Sequence, residues 1–393
     1  MEELFFNRVD TVDDLLDAET TEFIPLTEEK VLVASQWTLM WWRFRKHRVA
    51  IVSAVAILLF YLIALFAEFM ALHDPRLQDA NIIFLPPQRI HFDGMRPFVY
   101  GLKGQRNPET LAKEYVADLD HPNYIHFFVH GYEYSFWGLF TTDLHLMGLA
   151  DTDAEGNDAG DVVHAFHPLG TDRMGRDMWS RLMYGTRISL SIGLVGVALS
   201  LFFGVLLGGL SGLYGGIVDT AIQRVIEFLR SMPTIPLWLA LSAAVPMDWS
   251  VLQVYFAITV ILSLIGWTGL AREVRGRFLA LREEDFVLAA RLAGTGQLRL
   301  IFRHMIPSFI SHIIAAITLA VPTMILSETA LSFLGLGLRA PAISWGILLF
   351  EAQNLQAVAG APWLLIPGLF VLVAIMAFNF LGDGLRDAAD PYG

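Results

Sequence analysis

Carboxylates inside apolar segments are the residues of this chain whose positions most strongly suggest chemistry. Glu68 and Glu328 lie within long apolar runs, and Asp248 and Glu351 lie beside such runs. Acidic groups inside a bilayer are costly to bury and commonly mark a substrate or ion pathway. Glu328, in the segment ILSETALSFLG, has no basic residue within ten positions. Two roles stay open for it: contact with substrate on a translocation path, or hydrogen bonding to backbone amides at a helix end.

Histidines form a second group with possible chemistry, because imidazole is a common metal ligand. His126 and His130 would share one face of a helix, but the aromatic residues around them favour a strand and a turn. We therefore predict ordinary loop histidines and no metal site. The eight histidines concerned are His73, His91, His121, His126, His130, His145, His164 and His167.

Motifs for nucleotide chemistry are missing from the chain. The phosphate-binding pattern GxxxxGK[ST] does not occur, and no lysine follows Lys113. HExxH and GxSxG are also missing, and there is no cysteine for thiolate chemistry or disulfides. The chain therefore cannot hold ATP by that phosphate-binding pattern. The formal net charge of −12 argues against nucleic acid as a partner, because phosphates select basic surfaces.

Apolar composition places the chain in a lipid bilayer. Hydrophobic residues make up 55% of the 393 residues and charged residues 17%, whereas a soluble domain carries about 25% charged residues. Several apolar runs approach the ~20 residues that a helix needs to cross a bilayer. They predict an all-α membrane protein with six transmembrane helices, over residues 49–72, 188–214, 237–247, 251–271, 309–334 and 363–381.

Basic residues indicate which side of the membrane each segment occupies. The cluster RFRKHR precedes the first span, and arginines are frequent in the loops after the second and fourth spans. By the positive-inside rule, both termini are cytoplasmic. The predicted divisions are a cytoplasmic tail and entry segment (1–48), a first span (49–72), an external insertion (73–187), a transmembrane core (188–382) and a cytoplasmic C-terminus (383–393).

The insertion at 73–187 is too long for a plain connection between two spans. It is rich in proline, glycine, aspartate and histidine, and its aromatic patches could form a few strands. We therefore predict a small folded subdomain outside the membrane. It could dock a soluble partner, cover a cavity mouth, or be an elaboration without a direct role in substrate handling.

Glycines recur along the second predicted span. Pairs such as Gly204/Gly208 and Gly208/Gly212 have the GxxxG spacing that lets two helix backbones approach closely. This spacing predicts tight packing, either within the chain or across a seam with a second subunit.

The loop 272–307 contains the most informative polar segment. Acidic residues precede a short predicted helix at 286–293, where they favour its positive N-terminal end. Gly294 then ends that helix as a C-terminal cap. A second stretch at 297–305 follows, and Pro307 restarts the chain into the next span. Ala289 and Ala290 give the short helix a small-residue face that a partner could approach.

This loop resembles the EAA motif of ABC importer permeases, at Ala289, Ala290, Gly294, Ile306 and Pro307. Leu288 stands where that motif has a glutamate, and His304 where it has an isoleucine. Further motifs are similar to the C-type permeases of dipeptide, oligopeptide and nickel importers, and they include HPLGTDRMGRDMWSRLMYGTRISL (167–190), ILSETALSFLGLGL (325–338) and FNFLGDGLRDAADP (378–391). The resemblance covers residues 167–391 almost continuously.

The resemblance implies a permease subunit with the type I ABC importer fold in a bacterial inner membrane. It implies a heterodimer with a second, homologous permease, two ATPase subunits that bind ATP and Mg²⁺, and an external substrate-binding protein. The chain itself would be the translocation subunit, would not be an enzyme, and would hold no cofactor of its own. The loop 272–307 would then form the coupling helix that docks on an ATPase subunit. The residues it assigns to coupling are Glu284, Asp285, Phe286, Ala289, Ala290, Arg291 and Gly294.

The resemblance also implies a substrate class, namely peptides or similar small solutes. Oligosaccharides, opine-like compounds and nickel chelates are alternatives within the same importer class. An ion-coupled secondary carrier and a purely structural or receptor membrane protein are remote alternatives, and neither needs a cytoplasmic coupling loop.

Overall fold

The computed structural model describes residues 36–106, 108, 113–149, 162–163, 165–353 and 360–389. The acidic tail at 1–35 and His164 therefore lie outside the described residues. The helices are α1 (Gln36–Phe44), α2 (Arg48–Leu65), α3 (Ala67–Met70), α4 (Met178–Tyr214), α5 (Gly216–Ser231), α6 (Thr234–Ala243), α7 (Val251–Leu281), α8 (Asp285–Leu292), α9 (Gln297–Arg299), α10 (Ile306–Ser308), α11 (Ile310–Phe333), α12 (Trp345–Glu351) and α13 (Ile366–Ala389). A π-helical turn, Leu300–Met305, joins α9 to α10.

Five helices within the described residues are long and apolar enough to cross a membrane, and they include α2, α4 and α7. The other two are Ile313–Phe333, within α11, and Pro362–Ala389, which contains α13. The predicted span at 237–247 falls on α6, which has 10 residues. At 1.5 Å per residue, α6 reaches only about 15 Å, half of the ~30 Å hydrocarbon core. Six crossings therefore stay a prediction.

Two spans extend beyond their predicted ends. α4 begins at Met178 rather than at residue 188, because Asp177 caps it by accepting a hydrogen bond from the Ser180 amide. α7 continues to Leu281 rather than ending at 271. Hydropathy marks where apolar residues stop, whereas the backbone hydrogen bonds of a helix continue past that point.

The prediction of an all-α protein is wrong, because the chain contains an antiparallel five-stranded sheet. Its strands are β1 (His91–Asp93), β2 (Arg96–Arg106), β3 (Lys113–Phe136), β4 (Phe140–Leu149) and β5 (Val162–Val163). The order is β1-β2-β3-β4, and β5 pairs with β2. The fold class followed from the apolar spans, but the aromatic segment between them has the strand-forming composition that a sheet requires. The strand expected around His126 and His130 is confirmed in β3.

Close packing of α4 against α7 forms much of the transmembrane core. A β-carbon on Gly208 would lie 2.5 Å from the Ala271 carbonyl oxygen, and one on Gly212 would lie 2.6 Å from the Phe278 β-carbon. Only glycine permits so close an approach of two backbones. The glycine spacing therefore serves packing within this chain. This was one of the two predicted possibilities, the other being a seam with a second subunit.

Candidate coupling surface

An ion pair that sequence analysis missed joins α5 to α7, at the end of the α4–α7 pair that is predicted to be cytoplasmic. Arg275 on α7 donates from Nε and Nη2 to the two carboxylate oxygens of Asp219 on α5, at 2.5 and 2.6 Å. The Ser211 hydroxyl donates to the same carboxylate. The hydrogen bonds and charge of Arg275 hold the pKa of Asp219 below its usual range. This contact fixes the amphipathic helix α5 against the end of α7.

Val287 attaches the short helix α8 to the rest of the chain. Its side chain is fully buried in an apolar cluster with Phe278 of α7 and Ile301 of the π-helical turn. Phe309, before α11, belongs to the same cluster. Because the cluster combines residues from α7, α8 and the start of α11, a force on α8 acts on both neighbouring spans.

Gly294 ends α8 as the sequence predicted. Its φ of +76° is a left-handed conformation that favours glycine. The Gly294 amide donates to the Arg291 carbonyl at 2.9 Å, and the Thr295 amide donates to the Ala290 carbonyl at 3.1 Å. These two bonds are those of a Schellman cap. The predicted helix at 286–293 is confirmed as α8, Asp285–Leu292, with Ala293 as its C-cap.

The side of α8 opposite Val287 carries apolar groups that no other part of the described chain covers. This outer face consists of Phe286, Leu288, Ala289 and Leu292, and Leu292 is 89% exposed. Leu288, which replaces the glutamate of the EAA motif, thus adds apolar surface. The remaining predicted coupling residues lie around the same helix. Glu284 is its N-cap residue, Asp285 and Arg291 are exposed, Ala290 is half-buried, and Gly294 follows its C-cap residue, Ala293.

Glu328 lies at the centre of a buried hydroxyl cluster. It accepts hydrogen bonds from Ser332 and Ser344 at 2.8 Å each, and from Ser189 at 3.2 Å. The amide of Trp345 in turn donates to the Ser189 hydroxyl at 3.1 Å. The cluster joins α4, α11 and the start of α12. The partners are side-chain hydroxyls rather than the backbone amides considered from the sequence.

A cavity of about 460 Å³ lies between α4, α7 and α11, and Glu328 is not among the residues that line it. Its lining includes Ser200 and Gly266 in the middle of the bundle, with Glu273 and Arg386 towards one end. Small side chains therefore leave open space beside the α4–α7 contact, away from the Glu328 cluster.

Two further carboxylates form buried ion pairs that sequence analysis did not find. Glu68 pairs with Arg187. Glu351 accepts from Arg181 and, at 2.8 Å, from Arg176. Burial raises the pKa of Glu351, but the two arginines outweigh burial and hold that pKa below its usual range. Both arginines belong to the motif TDRMGRDMWSR, and the charged residues of that motif were the only sign in the sequence that ion pairs form here.

A group of three polar residues lies where the sheet segment meets α4. One ligand atom from each of His73, His167 and Asp177 lies within 4.8 Å of the others. The carboxylate of Asp177 accepts from His167 Nδ1 at 2.8 Å and from the Ser180 amide and hydroxyl at 2.7 and 2.6 Å. Burial, with the neighbouring His167, lowers the pKa of His73 to about 4. The carboxylate thus serves as the cap of α4, and the expectation of no metal site stays a prediction.

Comparison with known proteins identifies two matching families. Residues 204–392 match the family model "binding-protein-dependent transport system inner membrane component". Residues 35–87 match the "N-terminal TM domain of oligopeptide transport permease C". The intervening residues 88–203, which include the whole sheet, fall in neither match.

Curated relatives agree with these families. The oligopeptide transport system permease protein OppC of Bacillus subtilis (strain 168) is 38% identical over 226 residues, 57% of this chain and 72% of its own length. OppC of Haemophilus influenzae is 39% identical over 61% of this chain and 75% of its own length. The dipeptide transport system permease protein DppC of Bacillus subtilis (strain 168) is 38% identical over 58% and 69%, respectively.

Among solved structures, an inward-facing MetNI methionine ABC transporter aligns with 53% of this chain and 96% of its own, at 18% identity and a TM-score of 0.41. A score that low carries no argument about the fold, so the assignment depends on the sequence matches. Identity near 40% over about three quarters of a relative's length is decisive. The chain belongs to the family of binding-protein-dependent transport system inner membrane components, the permease subunits of ABC importers.

Proposed function

We propose that this permease subunit imports peptides, or small solutes of similar size, by alternating access driven by ATP hydrolysis in partner subunits. The support for peptides is the substrate named for its relatives, which are oligopeptide and dipeptide permeases. Oligosaccharides, opine-like compounds and nickel chelates are the alternatives within the same class. Selectivity among them would depend largely on the substrate-binding protein.

We propose a specific assembly around the chain. An ABC importer permease works with ATPase subunits and a substrate-binding protein. Here the permease pairs with a second, homologous permease, and two ATPase subunits hold ATP and Mg²⁺ below them. The core has the type I importer fold, and α6 supplies the short third crossing. Both termini are cytoplasmic, and the sheet lies outside the membrane as an insertion.

The outer face of α8 is the observation that carries the proposed coupling. Exposed apolar side chains such as Phe286 and Leu292, on one short helix, are typical of a surface that contacts a partner. Val287 and the Gly294 cap hold the helix rigidly on its other side. Such a helix can seat in a groove of an ATPase subunit and pass its motion to α7 and α11. Closure of the ATPase pair on ATP would then shift the spans between two arrangements.

The contacts of Glu328 favour a structural role over substrate contact. Three hydroxyls satisfy the carboxylate, and they tie α12 to α4 and α11. The cavity between α4, α7 and α11 is the better candidate for part of the translocation path, because it is open and lies away from that cluster.

Reconstitution tests the coupling proposal directly. The complete importer would be placed in proteoliposomes, and peptide uptake and ATP hydrolysis would be measured together. The double variant Phe286→Ala, Leu292→Ala should lose uptake and substrate-stimulated hydrolysis, because the docking face is removed. Leu298→Ala, an exposed leucine in neighbouring α9, is the matched control and should behave as the unmodified chain. Normal uptake by the double variant would refute the proposed docking.

The same vesicles separate the importer from an ion-coupled carrier. Vanadate, which arrests ABC ATPases, should abolish uptake, and dissipating the ion gradients should leave it intact. The opposite pattern would show a secondary carrier.

A further inference from the structure

The turn between β3 and β4 presents a group of large apolar side chains that the rest of the described chain does not cover. Trp137, Leu139 and Phe140 are 52%, 78% and 56% exposed. Phe136 stacks on Phe140 with ring centroids 5.5 Å apart. We call these four residues the aromatic tip. Contiguous apolar side chains of this size on a surface usually mark a site of contact with a membrane or a partner.

Specific contacts fix the aromatic tip against the end of the first span. The Trp137 indole N–H donates to the carbonyl of Leu65, the last residue of α2, at 2.9 Å. Phe136 stacks on Phe66 with ring centroids 6.0 Å apart. The turn is therefore held at one defined height along the first span.

That height coincides with a membrane surface. The basic cluster RFRKHR marks one surface at Arg48, where α2 begins. From Arg48 to Leu65, the rise of 1.5 Å per residue gives about 26 Å, against a hydrocarbon core of about 30 Å. Leu65 and the bound Trp137 thus lie just at the opposite boundary, where tryptophan and other aromatic side chains are enriched.

The aromatic tip continues the lipid-facing surface of the first span. Within the described residues, nothing covers one side of α2 along its whole length, at Val49, Val52, Val55, Leu58, Leu59, Leu62 and Leu65. Phe66 follows this stripe and touches the tip through Phe136. An apolar stripe of this length on a membrane span suits contact with acyl chains, and the adjoining tip extends the same apolar surface.

The polar groups beside the tip also suit an interface. The Arg187 guanidinium lies 4.4 Å from the centre of the Trp137 ring and pairs with Glu68. Trp137 therefore has a hydrogen-bond acceptor for its indole N–H, the Leu65 carbonyl, and a cation over one face of its ring, Arg187. The side chains of Leu139 and Phe140 have no hydrogen-bonding group, so they can enter an apolar phase without losing a hydrogen bond.

We propose that the aromatic tip inserts into the lipid leaflet at the end of α2 and anchors the five-stranded sheet to the bilayer surface. The inference depends on α2 crossing the membrane and not on the substrate or on the coupling function. Anchoring would hold the sheet in a fixed orientation over the bundle without any contact to a partner protein.

Single-cysteine labelling tests the insertion, because the chain has no cysteine of its own. Leu139→Cys would carry a fluorescent probe in the complete importer in nanodiscs. Brominated lipid and aqueous iodide would serve as quenchers. Met95→Cys, in the β1–β2 turn and 97% exposed, is the matched control. We expect lipid quenching and iodide protection at Leu139, and the reverse at Met95.

Two other outcomes would overturn the proposal. Iodide quenching at Leu139 equal to that at Met95 would show a tip in water. Protection from both quenchers would show that a protein partner, such as the second permease, covers it. Phe140→Cys provides an independent probe position if the Leu139 variant does not assemble.

Discussion

Replacing Val287 by alanine would loosen the coupling helix from its own chain without touching the surface offered to a partner. Val287 is fully buried among residues of α7, the π-helical turn and the start of α11. The change removes the equivalent of two methylene groups, each contributing about 0.8 kcal/mol, and leaves a cavity. The expected cost is about 2 kcal/mol. Since 1.4 kcal/mol is a factor of ten, undocked α8 should become about 30-fold more populated.

Hydrogen exchange of the α8 amides measures that population, because exchange from a locally opened helix follows the free energy of opening. We expect exchange in the peptide that covers residues 286–293 to be about 30-fold faster, and uptake per ATP hydrolysed to fall. Leu292→Ala on the outer face is the control. It should leave exchange in the isolated permease unchanged and yet weaken transport. Unchanged exchange in the Val287 variant would refute the anchoring role.

Two further perturbations test the packing and the ion pairs. Gly212→Val should lower the stability of the permease in detergent by about 1–3 kcal/mol, because a β-carbon there would lie 2.6 Å from Phe278 Cβ. Gly276→Ala, where nothing lies within 4 Å, should leave the melting temperature unchanged or raise it, and equal losses in both variants would contradict the close-packing argument. Glu351→Gln should cost about 2 kcal/mol, because Arg181 and Arg176 lose one of the two carboxylates that pair with them and keep only Asp172. The pKa of Glu351 is depressed in the folded chain, so its contribution is complete above the ordinary carboxyl pKa and is lost as pH falls through the depressed value. The unmodified chain should therefore lose stability in acid more steeply than the glutamine variant, and parallel pH profiles would exclude the ion-pair role.

Local signals in the sequence predicted the coupling segment well. The end of α8 follows from the glycine at Gly294, and its start near Asp285 follows from acidic residues that favour the positive N-terminal end of a helix. Both effects act over a few residues and are visible in one sequence. Hydropathy likewise predicted the long spans, but it predicted the residues at which they begin and end less accurately. Asp177 begins α4 before its apolar run because a cap, not hydropathy, decides where the helix starts.

Contacts between distant residues could not be predicted in the same way. Arg181 and Glu351 are separated by 170 positions, and nothing local in either segment indicates the other. The hydrogen bond from Trp137 to the Leu65 carbonyl connects the sheet to the first span, and these two residues are 72 positions apart. The aromatic patches of the insertion predicted a few strands, such as β3. The fold class was still given as all-α, because the apolar spans dominated the composition.

Site-specific crosslinking from α8 tests the central claim most directly. A photoreactive probe on Leu292→Cys, in the assembled and transporting importer, should crosslink to an ATPase subunit. The same probe on Leu298→Cys in α9, which is also exposed, should crosslink far less. An importer that transports normally while the Leu292 probe reaches no ATPase subunit would contradict the account of α8 as the coupling helix.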